Sequence, residues 1–398
     1  MATDYKQNKD VKLNINNKVG DEISYKRTPL QLSELKGKYS NKERKAFKRK
    51  WREEKLIAEM ERQKQIRKEQ EQKSKTEEEA KRKRERCGRL YTVSIAVPGS
   101  ILDNAQSIEL RAYLAGQIAR AAAVFNVDEI VVFDEMSHTG QDTTTTNFSG
   151  LKKPGHGNTQ LFHILQYLEC PQYLRKQFFP FHPDLSHAGL LNPLDIPHHL
   201  RETDVSEYRE GVTLNKPVST KKEAGSYANV GLKKEVILNM TVPNGQRVTV
   251  KLNEQTTDKK NLTGIVVSPN EPREAAGIYW GYTVRLASCL SQVFTASTYE
   301  GGYDLIIGTS ERGTLVEDIE LKEFKHAIVV FGGLKGLEAS LESDTTVKSH
   351  NPRDIFQHYL NVCPNQGSRT IRTEEAILIA MTALSPKLTQ VNKQNLVS

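Results

Sequence analysis

No stretch of this 398-residue chain approaches the roughly 18 consecutive apolar residues of a membrane-spanning helix. None of its four cysteines (Cys87, Cys170, Cys289, Cys363) pairs in a CxxC motif. The first absence argues against a membrane protein. The second excludes a cysteine-based zinc framework and a dense disulfide scaffold, and fits reduced thiols inside a cell. The first residues also lack an apolar signal core, so export is not expected. There is no GxxxxGK[ST], and no GxGxxG follows the first strand pattern, which sets aside a P-loop and an ordinary dinucleotide fold. Ten histidines include a group at His182, His187, His198 and His199 whose spacing matches no metal signature, and no metal site is expected.

Charge of one sign is in excess, and only in one place. The chain carries 57 Lys/Arg against 49 Asp/Glu, a formal net charge of +8. Residues 42–86 hold 19 Lys/Arg and 11 Glu, which leaves 38 of each sign elsewhere. That segment has neither Gly nor Pro and is rich in helix formers. Phe47, Trp51, Leu56, Ile57, Met60 and Ile66 make only a sparse apolar stripe, which argues against a long coiled coil. Two readings are compatible: a solvated helix laced with i,i+4 ion pairs, and an arm that grips phosphates. Lys81, Arg82, Lys83 and Arg84 are its densest basic run, an RNA-binding or nuclear-import patch.

Residues 1–41 are polar and read as disordered, and 42–87 form the basic helical arm. Composition changes near residue 88, where the pattern of an α/β domain begins. Val93, Ile95 and Val97 alternate along a strand at 90–97. Leu110, Leu114, Ile118 and Ala121 have helical spacing in 105–125, and "EIVVF" at 129–133 reads as a strand buried on both faces. Residues 137–158 lack periodicity, and helix returns over 160–179 with Pro171 opening its second part. Residues 88–204 thus make the first part of the α/β domain. Within 205–275, short strands at 235–242, 246–252 and 263–268 suggest a small inserted OB-like barrel, with Asn244-Gly245 as a hairpin turn. The α/β pattern resumes over 276–386, with strands at 282–287, 303–308, 327–333 and 359–363 and a closing helix. Residues 387–398 read as a tail.

Three segments of this last region carry chemistry. "GTSERG" (308–313), "FGGLKGLE" (331–338) and "NVCPNQGSRTIRT" (361–373) each follow a strand of a parallel sheet, where ligands bind beyond the carboxyl ends. Each taken alone is weak, and a turn would explain it. Their glycines allow close backbone approach, and three converging segments would make a pocket without an acid–base triad. In the third segment Gly367 would let the chain fold over a ligand. Arg369 and Arg372 would project from it, Thr373 would cap the closing helix, and Ile377, Leu378, Met381 and Leu384 would pack that helix down, with Pro386 following its end. A plainer reading keeps the two arginines as ion pairs with the glutamates at the helix start.

In that order, "YDLIIGTSERG", "HAIVVFGGLKGLE" and "CPNQGSRTIRTEEAILIAMTAL" resemble the SPOUT, or trefoil-knot, RNA methyltransferases, closest to the eukaryotic and archaeal branch over residues 89–385. "SRTIRTEEA" is similar to the "RILRTETA" pattern of bacterial SPOUT enzymes that methylate N3 of uridine, with "TI" for "IL" and "EEA" for "ETA". The resemblance implies a knotted C-terminal fold holding S-adenosylmethionine. It implies a pocket of Thr309, Arg312 and Gly313 in the first segment and Gly332 and Gly333 in the second. Asn361, Val362, Cys363, Gln366 and Ser368 would complete it. It further implies a homodimer through the knot face and uridine-N3 methylation of large-subunit rRNA. Residence in nucleus or nucleolus and cytoplasm is also implied, with spindle, centromere or kinetochore association in mitosis. Glu311 is the candidate base, with Arg285, Arg312 and Arg372 placed to stabilise negative charge on the target base, and Arg369 to contact RNA. The alternative is a catalytically weak RNA-binding or spindle scaffold using the same dimer and arm.

Overall fold

The computed structural model describes residues 42, 45, 49, 51–53, 55–68, 88–135, 156–216, 225–253 and 262–393. They belong to two compact units, Met1–Glu85 and Arg86–Ser398. The expectations for 1–41, for Lys81 to Arg84 and for most of 137–158 fall outside the described residues. In the first unit the described residues are helical. Arg49 pairs with Glu53 one turn on at 3.0 Å, while Leu56, Ile57 and Met60 are exposed, as in a solvated helix.

The second unit is built on a six-stranded, all-parallel sheet. Its strands are β1 (Thr92–Pro98), β2 (Glu129–Phe133), β8 (Thr283–Ala287), β9 (Leu305–Leu315), β10 (His326–Val330) and β11 (His358–Asn361). Their spatial order is β11-β9-β10-β1-β2-β8. Side-chain alternation splits the sheet into two faces. Val93, Ile95 and Val97 on β1 and Ile130 and Val132 on β2 pack under helices α1 (Ile108–Val124), α2 (His156–Glu169) and α8 (Thr373–Lys393). Ala96, Val131 and Phe133 face α5 (Leu290–Thr295), α6 (Gly336–Ser343) and α7 (Pro352–Ile355). Both faces are covered, as parallel sheets require. Two short helices, α3 (Gln172–Phe178) and α4 (Glu271–Ala276), stand in the chain on either side of an inserted barrel. On α1 the buried stripe is Ala112, Ala115, Ile118, Ala119 and Ala122. Leu110, expected inside, is 49% exposed, because it faces an open cavity instead of the sheet.

The inserted unit is a closed five-stranded barrel in the order β3-β4-β5-β7-β6: Tyr208–Leu214, Tyr227–Asn229, Val236–Leu238, Leu262–Val267 and Arg247–Leu252. Four contacts are antiparallel and β5 pairs parallel with β7, the OB-like arrangement expected. The predicted hairpin at Asn244-Gly245 is corrected. Gly245 does turn with φ +77°, but β5 and β6 do not pair, and β6 lies beside β3 and β7. Strands β3 and β4 went unpredicted because β3 hides charge. Arg209 and Glu210 are almost fully buried, so the strand lacks an apolar alternation.

That buried charge joins barrel to sheet. Arg247 on β6 donates to both oxygens of Glu169 at the end of α2, at 2.7 and 2.9 Å, and to Glu210 on β3 at 2.7 Å. Glu210 also accepts from Thr249 and Trp280. Burial alone would raise the Glu169 carboxyl, but the Arg247 fork and His198 hold it down at about 2. His199 is pushed down to about 4, first by burial and then by the neighbouring His198. Both folded values lie below the ordinary ones of 4.5 and 6.5, so both groups favour the fold at high pH and oppose it as pH falls. Thermal unfolding should show a level plateau above pH 6.5. A decline should set in between 6.5 and about 4 from His199, then steepen between 4.5 and about 2 from Glu169. A flat midpoint from pH 7 to 4 by calorimetry would contradict this clamp.

The C-terminal threading is the least ordinary feature. Residues 316–324, between β9 and β10, lie across α8. Val316, Ile319, Leu321 and Phe324 share an apolar cluster with Ile377, Leu384 and Leu388. Lys387 donates to the carbonyls of Ile319 and Glu317 at 2.9 and 3.3 Å. The later β11 slots in beside β9, so the last strand–helix unit is held beneath a segment that precedes it. This is the knotted arrangement expected, one that ordinary connection rules disfavour. Two local expectations fail here. Pro386 does not end α8, which runs on to Lys393, because Leu384 and Leu388 on either side of the proline are buried. Leu378 is 44% exposed on the outer side of the helix.

Candidate active site

The three segments that follow β9, β10 and β11 converge on one cavity of about 970 Å³, at the upper end of ligand-site volumes. The first segment is not a free loop but a bulge in β9. Gly308 pairs with Tyr359 and Thr314 with Leu360, so residues 309–313 make an excursion opposite a single step of β11. Thr309, Ser310, Glu311 and Arg312 line the cavity from this bulge. Thr309 is fixed by donating to the Val330 carbonyl at 3.1 Å, and the Glu311 carbonyl accepts from Asn361 Nδ2 at 2.9 Å. Gly313 does not line the cavity. A Cβ there would lie 2.3–2.6 Å from the Leu360 and Asn361 backbone, so its role is to let the bulge lie against β11.

The second wall is Phe331, Gly332, Gly333, Leu334, Lys335 and Gly336. A Cβ on Gly332 would lie 2.6 Å from the Gly336 carbonyl carbon and the Leu337 amide, so this turn closes only with glycine there. Thr373 does not cap α8 as expected. Its hydroxyl donates to the Gly332 carbonyl at 2.9 Å and ties the helix to this wall. The capping role falls to Glu375, whose carboxylate accepts from the Arg372 amide at 3.0 Å, half of a capping box. The left-handed turn of the third segment falls on Asn365 (φ 64°), whereas Gly367 stands in open space.

From the third segment Asn361, Val362, Cys363, Gln366, Arg369 and Arg372 line the cavity. The Asn361 side chain accepts from the Cys363 amide at 3.0 Å, which sets the start of the turn. Ser368 does not reach the cavity; it is exposed and donates to the Thr370 carbonyl within its own loop. Arg369 and Arg372 are exposed and, among the described residues, neither makes an ion pair. This removes the plainer reading of those side chains. Arg312 pairs with Glu338 rather than Glu311, at 3.6 Å.

Arg285 is corrected outright. It lies on β8, at the opposite edge of the sheet from β11. There it is half-buried, donating to Glu129, to the Gln292 and Val293 carbonyls and to the Tyr303 hydroxyl. Its charge is spent on the buried Glu129, so it takes no part in the cavity.

Sequence reasoning missed a fourth wall. Ile101, Asn104, Ala105 and Gln106, from the turn after β1, and Leu110 and Tyr113 on α1 complete the cavity. The signal existed, since the turn after β1 leaves the same carboxyl edge of the sheet. Glu338, at the start of α6, was missed too. It lines the cavity and accepts from the Tyr359 hydroxyl at 2.9 Å; burial first, and then this hydrogen bond and Glu338, raise that phenol to about 12. Glu135 lies directly behind Gly333, and burial raises its carboxyl despite the hydrogen bond from Ser100.

A family model described as "Putative RNA methyltransferase" matches residues 92–384. The chain belongs to this RNA methyltransferase family. The match spans both parts of the α/β domain and the barrel between them. Among curated relatives, the "28S rRNA (uridine-N(3))-methyltransferase" of Homo sapiens is 58% identical over 311 residues, covering 77% of this chain and 81% of the relative. The protein of the same description from Drosophila melanogaster is 49% identical over 359 residues, 87% and 72% of the two chains. Membership accords with the cavity. It is of mixed polar and apolar lining, glycine-walled and roomy enough for a bent nucleoside cofactor. Glu338, Glu374 and Glu375 are among its lining residues, and a glycine-closed turn leaves backbone groups to read a flat ring.

Proposed function

We propose that this chain is an S-adenosylmethionine-dependent RNA methyltransferase acting on N3 of a uridine in large-subunit ribosomal RNA. The observation that carries the reading is the convergence of residues 309–312, 331–336 and 361–372 on one cavity in a member of this family. The substrate comes from the relatives described as uridine-N3 methyltransferases of 28S rRNA. Bound in the cavity, S-adenosylmethionine supplies a methyl group on a sulfonium that is already a good leaving group. The chain's own residues then have three tasks. Thr309, Gly332, Gly333, Asn361, Val362, Cys363 and Gln366 form the walls that orient the reactants and exclude water. Glu311 takes the N3 proton of the uridine. Arg372 and Arg312 stabilise the negative charge that develops on the neighbouring carbonyl oxygen. The target base must leave any stack to enter, and Arg369 stands at the cavity for RNA phosphate.

The family's knot-face homodimer belongs to the same reading. Helices α1 and α8 pack against each other, and Ile108, Tyr113 and Leu378 stand exposed on them, Tyr113 at the cavity wall. Sedimentation should report twice the 45.0 kDa chain mass. Residence in nucleus or nucleolus and cytoplasm, with spindle or kinetochore association in mitosis, rests on the family resemblance.

RNA grip is assigned to the 42–87 arm together with the barrel. Deleting the arm should weaken RNA binding across sequences. The log–log salt dependence should flatten by roughly 0.7 for each single-strand phosphate that the arm no longer neutralises. Choice of target uridine should be unchanged. A salt slope identical with and without the arm, measured by fluorescence anisotropy, would reject this assignment. The function itself is tested by mapping rRNA modifications in cells with and without the protein. One uridine losing its base methylation supports the reading. An unaltered map, with no heat on titrating S-adenosylmethionine into the protein, would leave the scaffold alternative standing.

A further inference from the structure

Away from the cavity, four titratable side chains converge at the N-terminal half of α2. His163, on the same face of the helix as His156 and two turns on, places Nδ1 2.7 Å from Asp184 Oδ2. His182 Nδ1 is 3.5 Å from the same oxygen, and His156 Nε2 is 3.9 Å from Oδ1. The His163 and His182 rings stand edge to face with centroids 4.4 Å apart. The ligand atoms of His163, His182 and Asp184 all lie within 4.8 Å of one another. Asp184 is buried and the three imidazoles are partly exposed, at 26%, 32% and 49% of their side chains, so an ion has a path in.

The arrangement is costly for proteins that only need a turn. Three rings are gathered round one buried carboxylate, and His182 Nδ1 accepts from the Asp184 amide at 3.3 Å, so that nitrogen has no proton to give the carboxylate. An anionic carboxylate with two or three imidazole nitrogens is the ligand set of zinc-type ions. Tetrahedral ligands with bonds of about 2.0–2.1 Å stand roughly 3.3 Å apart. The 3.5 Å separation of His182 Nδ1 from Asp184 Oδ2 is close to that edge length. Only the 2.7 Å pair must open, which a turn of the Asp184 carboxylate about its broad χ2 supplies.

We propose that His163, His182 and Asp184 bind one zinc-type divalent ion, with solvent at the fourth position and His156 beside it. The ion has a structural use. His156 and His163 sit on α2, while His182 and Asp184 sit in a short 3₁₀ turn over Pro183–Leu185 and the residue before it. An ion between them pins the 182–185 turn to α2. That helix packs on residues 99–104, which include Ile101 and Asn104 of the cavity wall. The ion takes no part in methyl transfer.

The test uses the full chain, free of any affinity tag and stripped with chelator, titrated separately with zinc and cobalt(II) salts. One tight equivalent of zinc per chain is expected, cobalt should give visible absorption of a tetrahedral site, and magnesium and calcium should not compete. His163→Gln and Asp184→Asn should each weaken zinc binding by at least about 100-fold, whereas His187→Gln, outside the cluster, should not. Zinc should raise the melting temperature of the wild type but not of His163→Gln. No uptake by the wild type at 100-fold excess overturns the proposal without any variant. Uptake that His163→Gln, Asp184→Asn and the double variant all retain overturns it as well.

Discussion

Replacing Arg372 by alanine should lower kcat/KM for methyl transfer by about 10²–10³-fold, as loss of one donor to developing charge does elsewhere. S-adenosylmethionine affinity should stay within about three-fold, since a group acting on the transition state leaves ground-state binding alone. Arg372 is suited to this role by what it does not do. It is exposed, makes no ion pair among the described residues, and its backbone is anchored by Glu375 at the head of α8. A free guanidinium on a fixed backbone at the cavity wall has no structural task to explain its cost. Arg285→Ala should act in the opposite manner. It strips Glu129 of a buried partner, so it should lower thermal stability while a folded sample keeps its turnover number. If Arg372→Ala retained full activity, or lost it only through weaker cofactor binding, Arg372 would have no part in stabilising the transition state.

The second large effect is expected at Gly332. A Cβ at this position meets backbone of Gly336 and Leu337 at 2.6 Å, and backbone cannot rotate aside as a side chain can. Gly332→Val should therefore open the second wall, and with it the Thr373 bond to the Gly332 carbonyl that ties α8 to the turn. S-adenosylmethionine affinity should fall by at least about 100-fold, the scale of a strained backbone position of a few kcal/mol. Gly245→Ala, at a turn of φ +77° in open space on the barrel, should cost stability only. Calorimetry on both variants separates the two outcomes. Equal cofactor binding by Gly332→Val and wild type would mean that the glycine turn is not the cofactor's wall.

How much of the fold was legible in residues alone depended on whether apolar pattern and architecture agreed. All six strands of the parallel sheet announced themselves, β1 by alternation and the others as short apolar runs, as a doubly covered sheet favours. The barrel was half legible, since β5 to β7 alternate, whereas β3 carries Arg209 and Glu210 into the interior and reads as loop. The Asn244-Gly245 signal was sound as a turn and wrong as a hairpin, because a closed barrel pairs β6 with β3 and β7, leaving β5 to other neighbours. At the site, glycine and arginine placement pointed to three of four walls. The fourth, from the turn after β1, has no glycine-rich signature and was visible only through topology. Arg285 misled because sequence alone does not show its partner, the buried Glu129 on the neighbouring strand. The bulge of residues 309–313, the knot and the role of Thr373 depend on contacts between distant segments, which no local pattern encodes.

Methyl transfer to uridine N3 can be observed in a single reaction. Purified full-length protein, large-subunit rRNA lacking the modification and isotopically labelled S-adenosylmethionine are incubated together. The RNA is digested and its nucleosides separated by mass spectrometry. Labelled 3-methyluridine is expected, and its initial rate of formation should fall by about 10²–10³-fold when Arg372→Ala replaces the wild type. Label in ribose-methylated nucleosides, or no label in RNA at all, would contradict the assignment.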